Sequence, residues 1–305
     1  MNQTHPAVKT MSIKIGTCSW TDRVREPAGK LYHTARPTAE QMLGYYASMF
    51  PTVEVDATFY ALPSLKTCES WAKRTPEGFK FHIKAFSHFT THRTNKQRLP
   101  ADLKRDLPRA VDGKTNLNFA DVPQTMRNEL WRRFREALTP LKEADKLGFI
   151  VLQFAPWFKP TRQNADYILE CKQQLEGLDV AVEFRNESWF QDKLLERTPA
   201  FLGEHGLAMV CVDMPQGLSM SIPPLALATA RNSYVRLHGR NTETWELGGA
   251  PVNNLHDYWY TEEELTEWLE RARELEEQSG TVYFMLNTVQ GFETAQAFQE
   301  MVKDT

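Results

Sequence analysis

Nine polar residues stand at or just past the ends of short apolar runs: Asp56, Lys84, Gln153, Glu183, Arg185, Asp213, Arg236, His238 and Asn287. Carboxylates beside a histidine can move protons near neutral pH, or hold a divalent metal whose bound water becomes a nucleophile. Arginines offer planar donor forks matched to phosphate or carboxylate. The mixture points to chemistry on an anionic substrate. Glu183, Asp213, His238, Lys84 and Asp56 are the candidate catalytic groups. Arg185, Arg236, Gln153 and Asn287 are candidate binding groups, joined by Trp20, Tyr60 and His88. The sequence specifies no cofactor. If a divalent metal is used, its expected ligands are Glu183, Asp213 and His238, types that suit Mn, Zn or Fe. The structural alternative is an interior salt-bridge network, such as Arg236 with Glu183 or Arg185 with Asp213.

The elements that must position these residues recur regularly. Strand-like runs occur at IKIGTCSW (13–20), TVEVDATFY (52–60), FKFHIKAF (79–86), LGFIVLQF (147–154), DVAVEFRN (179–186), LAMVCVDM (207–214), SYVRLHGR (233–240) and TVYFMLNT (281–288). Stretches such as TAEQMLGYYASMF and TEEELTEWLERARELEEQ carry helix-period apolar residues between them. Gly148, Gly177, Gly206 and Gly280 precede later strands, where helix C-cap glycines belong. Eight strand-then-helix units predict a single-domain α/β fold, an eight-stranded parallel βα (TIM) barrel. The expected layout is a tail over 1–12 and a barrel over 13–305, with a long insertion at about 87–125.

Alternation along each run then assigns the faces. The apolar parity must meet the helices, so the polar parity is expected to point to the barrel axis. That includes Cys211 and Asp213 on the sixth run, opposite Val210 and Val212. The last polar members should converge on one cavity at the carboxyl ends, where barrel active sites sit. Aromatic residues Trp20, Tyr60, Trp157, Trp189, Trp245, Tyr258 and Trp259 are expected near the same rim.

Composition narrows the function classes. The 305 residues carry a net charge of −3 and 41% hydrophobic residues, within the ordinary globular range. A nucleic-acid role would need a local basic patch. No window has the length and apolarity of a membrane span, and the first residues lack the apolar run of a signal peptide. Four scattered cysteines fit reduced thiols in a cytoplasmic protein. No Walker loop, His-Glu-x-x-His helix or Gly-x-Ser-x-Gly elbow is present. Residues 87–125 hold many Lys, Arg and His residues with several prolines, and are expected to act as a lid over the mouth or a mobile binding segment.

The segments GTCSW, LGYYASMFPTVEVDATFYALPS, WAKRTPEGFKFHIKAFSHFTTH, LGFIVLQFAPWF, VEFRNESWF, YVRLHGR, YTEEELTEWL and FMLNT occur in that order. Together they resemble the YecE-like domain of unknown function, family seventy-two of that series, over nearly the whole chain from Ile13. The resemblance implies a βα barrel and a bacterial or archaeal cytosolic protein. It brings no established activity, and likeness to metal-dependent barrels such as endonuclease IV is an analogy of fold alone. This chain departs from the family pattern at Asp56-Ala57, Asn287-Thr288 and Cys18. Three functions remain open. One is an enzyme on a phosphorylated or nucleic-acid-derived substrate, hydrolytic and metal-assisted. Another is a metal-independent sugar-processing enzyme with two carboxylates. The third is a non-catalytic ligand-binding barrel. Small anionic ligands or nucleic acid are the expected partners; nothing calls for a membrane or an obligate protein partner.

Overall fold

Runs rich in Val, Ile and Phe form eight strands: β1 (Ile13–Thr17), β2 (Thr52–Val55), β3 (Lys80–Lys84), β4 (Leu147–Gln153), β5 (Val180–Glu183), β6 (Ala208–Asp213), β7 (Ser233–Leu237) and β8 (Val282–Leu286). The computed structural model describes residues 12–20, 37–242 and 256–304. The expected tail, apart from Ser12, and Trp245 therefore lie outside the described residues. Neighbouring strands run parallel in the order β1-β8-β7-β6-β5-β4-β3-β2. A parallel bridge between Cys18 and Glu54 brings β1 and β2 together. The result is the expected α/β barrel.

Helices cover the outside: α1 (Ala39–Met49), α2 (Leu65–Lys73), α3 (Gln124–Glu143), α4 (Arg162–Gln174), α5 (Leu194–Glu204), α6 (Glu262–Gln278) and α7 (Gly291–Lys303). Side chains supply several of their caps. Thr38 and Gln41 form a capping box on α1, and Thr261 and Glu264 form one on α6, each satisfying orphan amides of the first turn. Gly177 and Gly206 have φ of 76° and 60°, as expected of residues ending helices ahead of a strand. Gly148 differs from expectation. It lies within β4, where a Cβ would come 2.6 Å from the His82 ring. One unit departs from the repeat: among the described residues, β6 is followed by the irregular segment 214–232 in place of a helix.

The excursion after β3 also differs from expectation. It is not a mobile polar segment but has an apolar side: Phe89, Leu99, Leu103, Val111, Leu117 and Val122 are buried. A two-residue antiparallel ladder joins Thr94–Asn95 to Asn116–Leu117. Phe89 stacks on Trp131 of α3 with centroids 3.6 Å apart. Lys96 Nζ donates to the carbonyls of Val111 and Asp112, and Arg133 of α3 pairs with Asp102. The segment is thus fixed to the barrel wall. Trp131→Ala is expected to cost about 3–5 kcal/mol, the usual range for losing a buried aromatic. It should also speed tryptic cleavage within 96–114. Unchanged cleavage would contradict the anchoring role of the stack.

Candidate active site

Residues registered side by side in parallel strands share a face, so the registers show what points to the axis. Glu183 is level with Gln153, Val151 with Lys84, and Arg236 with Met285. Deep in the barrel, His82, Phe149, Tyr234 and Tyr283 pack ring to ring. His82 Nδ1 accepts the Phe149 amide at 2.9 Å, while burial holds its pKa well below the usual histidine value. This aromatic layer forms a floor.

Above the floor stands a buried ionic network centred on Arg236. Its Nη1 donates to Glu183 Oε2 at 2.5 Å and Gln153 Oε1 at 2.9 Å; its Nη2 donates to Glu54 Oε1 at 2.9 Å. Tyr234 donates to the other Glu54 oxygen at 2.7 Å. Arg236, Glu54, Glu183 and His238 have no accessible surface. Charges this deep survive only when paired. The two glutamates respond differently to burial. It pushes Glu54 up to about 7, because Arg236 and the Tyr234 hydroxyl offset only part of the desolvation. Burial acts on Glu183 in the same sense, but Arg185 and Arg236 together outweigh it and hold that carboxyl well below its ordinary value.

Glu183 also organises the groups nearest the mouth. Arg185 Nε lies 2.5 Å from Glu183 Oε1, which is 3.2 Å from His238 Nε2. Arg185 Nη2 lies 2.9 Å from the same Nε2, and Asn287 Nδ2 lies 2.9 Å from Nδ1. Burial, then the Arg185 charge, keep the imidazole well below its ordinary pKa. The positions of Arg185 and His238, just past the ends of β5 and β7, put both at the carboxyl end of the barrel.

The rim is aromatic and basic. Asp56 heads a single 3₁₀ turn (Asp56–Phe59) that ends β2, and its carboxylate pairs with Lys84 Nζ at 3.1 Å. Lys84 sits 5.0 Å above the Phe59 ring, which meets His92 edge-on at 5.0 Å. His92 in turn faces Trp157 at 5.9 Å. Tyr60 and Trp157 are more than half exposed. Burial, with Lys84 and Arg185 nearby, lowers His92 to about 4.

Seven of the expected residues thus meet: Asp56, Lys84, Gln153, Glu183, Arg185, Arg236 and His238, with Asn287 behind the imidazole. Asp213 does not join them. Val212, not Asp213, is level with Arg236, so Asp213 points outward, where Arg240 Nε donates to both its oxygens at 3.0 and 3.1 Å. Its parity inverts because the outer side of β6 meets the irregular segment and the Arg240 side chain, not an apolar helix face. Cys211 likewise faces out, with Sγ 3.8 Å from the Leu227 carbonyl. The expected metal set of Glu183, Asp213 and His238 is therefore not assembled. Among the described residues, Cys18, Glu54 and Asp56 do bring ligand atoms within 4.8 Å of one another. Arg236 Nη2 already lies 2.9 Å from Glu54, 3.7 Å from Asp56 and 3.6 Å from Cys18 Sγ, so a guanidinium fills the place a cation would take.

His88 is also elsewhere. It is buried against Phe119 with neither ring nitrogen hydrogen-bonded, and burial lowers it to about 4. Trp20 lines a neighbouring cavity, and Tyr60 stands on the rim. Sequence reasoning missed Glu54 and His92 as members of the site. For Glu54 the signal was available: it alternates with Asp56 on β2, one layer deeper.

A family model described as a protein of unknown function, DUF72, matches residues 14–305. The chain belongs to the DUF72 family. The resemblance to YecE-like proteins noted above accords with this. Among DUF72 relatives, UPF0759 protein YunF of Bacillus subtilis is 30% identical over 295 residues, 95% of this chain and 94% of that protein. A DUF72 crystal structure from Enterococcus faecalis V583 superposes with a TM-score of 0.77 at 24% identity, over 95% of each chain. A Thermotoga maritima DUF72 structure gives 0.73 at 26% identity, covering 96% of this chain and 99% of that one. Among the described residues of this DUF72 chain, no helix is long and apolar enough to cross a membrane.

Proposed function

We propose that the DUF72 barrel mouth binds a small anionic substrate, bearing phosphate or carboxylate, at Lys84 and Arg185, and that His238, held by the ionised Glu183, takes a proton from the attacking water and returns it to the leaving group during hydrolysis. The observation carrying this reading is the contact of Arg185 with both members of the Glu183–His238 pair. Charge bookkeeping supports it. Lys84, Arg185 and Arg236 face Glu54, Asp56 and Glu183; because Glu54 is pushed up to about 7, a fraction of it is neutral near pH 7 and the set becomes net positive. An incoming anion would share the Arg185 fork and weaken the positive field on the imidazole. His238 then becomes easier to protonate at the moment substrate arrives, which suits a general base.

A glycosidase reading is less well supported, because it needs a carboxylic acid with a raised pKa at the mouth. Glu183 is held ionised, and Glu54 is covered by Arg236 and Tyr234. Calorimetric titration with inorganic phosphate at low salt tests the anion site. Arg185→Lys is expected to weaken binding about tenfold, since lysine keeps the charge but loses the fork. Equal affinity in the two proteins, or no binding by either, would overturn the assignment.

A further inference from the structure

Beside the mouth, between the carboxyl ends of β1 and β2 and helices α1 and α2, lies a cavity of about 200 Å³. Trp20, Trp71, Val55 and Ala57 wall it, and Asp56 and Arg74 provide polar edges. Trp20 and Trp71 meet edge to face at 5.5 Å. Trp71 stacks on Phe81 at 5.8 Å, which holds its ring in place from behind. Arg74 is paired with Glu40 at 3.5 Å, so its charge is partly met from outside the cavity. Ser19, also on the wall, has φ of 121°, a conformation that side-chain-bearing residues adopt only where the surroundings enforce it.

Asp56 connects this cavity to the candidate active site. Asp56 lines the cavity, and its carboxylate pairs with Lys84 at 3.1 Å. A ligand whose anionic group meets Lys84 can therefore lay its adjoining part in the cavity, against the tryptophan pair. The size and chemistry restrict that part. An apolar cavity of about 150 Å³ accepts a benzene ring, so this one suits a single six-membered ring and is too small for a fused pair with substituents.

We propose that the Trp20–Trp71 cavity is a specificity subsite for one apolar or aromatic ring attached to the anionic group of the substrate. This rests on the reading of the mouth as an anion site. The ring's burial supplies affinity that a bare anion lacks. Ala57 is exposed at the cavity wall, so Ala57→Leu can fill the cavity with little demand on the core.

The test is a pair of calorimetric titrations on the full chain, with phenyl phosphate and with inorganic phosphate, repeated on Ala57→Leu. Phenyl phosphate is expected to bind about tenfold tighter or better, and Ala57→Leu to remove that advantage while phosphate still binds. Phosphate binding without any preference for phenyl phosphate would overturn the subsite and leave the anion site standing. A preference that survives Ala57→Leu would place the ring elsewhere and also overturn it. Binding of neither compound would remove the anion reading, and the subsite with it.

Discussion

Arg236→Met is expected to destabilise the protein by about 3–5 kcal/mol, the cost of breaking a buried ion pair. The substitution keeps bulk but takes away the donors that serve Glu54, Glu183 and Gln153 at once. Glu183 keeps Arg185 and the His238 ring, whereas Glu54 keeps only the Tyr234 hydroxyl among its close hydrogen bonds. Glu54, already raised to about 7, would take up a proton once Arg236 is gone, so its share of the loss is the missing partner and not a naked charge. Adding Glu54→Gln to Arg236→Met is expected to restore part of the stability, a non-additivity that a double-mutant cycle measures. In a chain of this size the single variant should melt about 10 °C lower. A loss below about 1 kcal/mol would show that the network contributes little to holding the barrel together.

Mild acid is expected to destabilise the fold before the ordinary carboxylates protonate. Burial holds His88 and His92 at about 4, and His82 and His238 well below the usual value. The unfolded chain takes up these protons near pH 6.5 and the folded one does not. Stability from each histidine is thus complete above about pH 6.5 and is lost as pH falls toward its folded value. For His88 the loss reaches about 2 kcal/mol by pH 5. Glu54 works in the opposite direction. Its folded pKa is raised to about 7, so the folded state holds a proton that the unfolded state releases, and acidification from 7 to 5 returns about 2 kcal/mol. Four histidines against one glutamate leave a net loss. Melting temperatures between pH 7.5 and 5 check the balance. His88→Leu should flatten the profile and Glu54→Gln should steepen it; a melting temperature that is constant or rises toward pH 5 would contradict the sign.

Alternation made much of this legible in the sequence. Gln153, Glu183, Arg236 and Lys84 stand at the ends of strands whose opposite parity is Val, Ile, Leu or Phe, and helices cover that parity. The rule failed at β6, where what covers the strand is an irregular segment, whose Leu227 carbonyl meets Cys211, and the side chain of Arg240. No pattern within LAMVCVDM reveals its covering layer. Taking only the last polar residue of each strand hid Glu54, which lies one layer below Asp56 and is bonded to Arg236. The excursion misled for a different reason. Leu99, Leu103, Val111 and Leu117 bury themselves without helix or strand period, so their shared face emerges only once turns have folded them together. His88 looked like a binding residue by its place after β3, yet that place is the buried root of the same excursion.

The most direct measurement of substrate-linked proton transfer at Glu183 and His238 is the ¹⁵N NMR titration of the His238 imidazole, free and saturated with inorganic phosphate. In the free protein the ring, whose Nε2 lies beside Arg185, should stay neutral well below pH 6.5. Phosphate at Arg185 should move the titration upward, because it weakens the positive charge 2.9 Å from that nitrogen. An unchanged His238 titration at saturating phosphate, with binding confirmed by calorimetry, would contradict the coupling between the anion site and the Glu183–His238 pair.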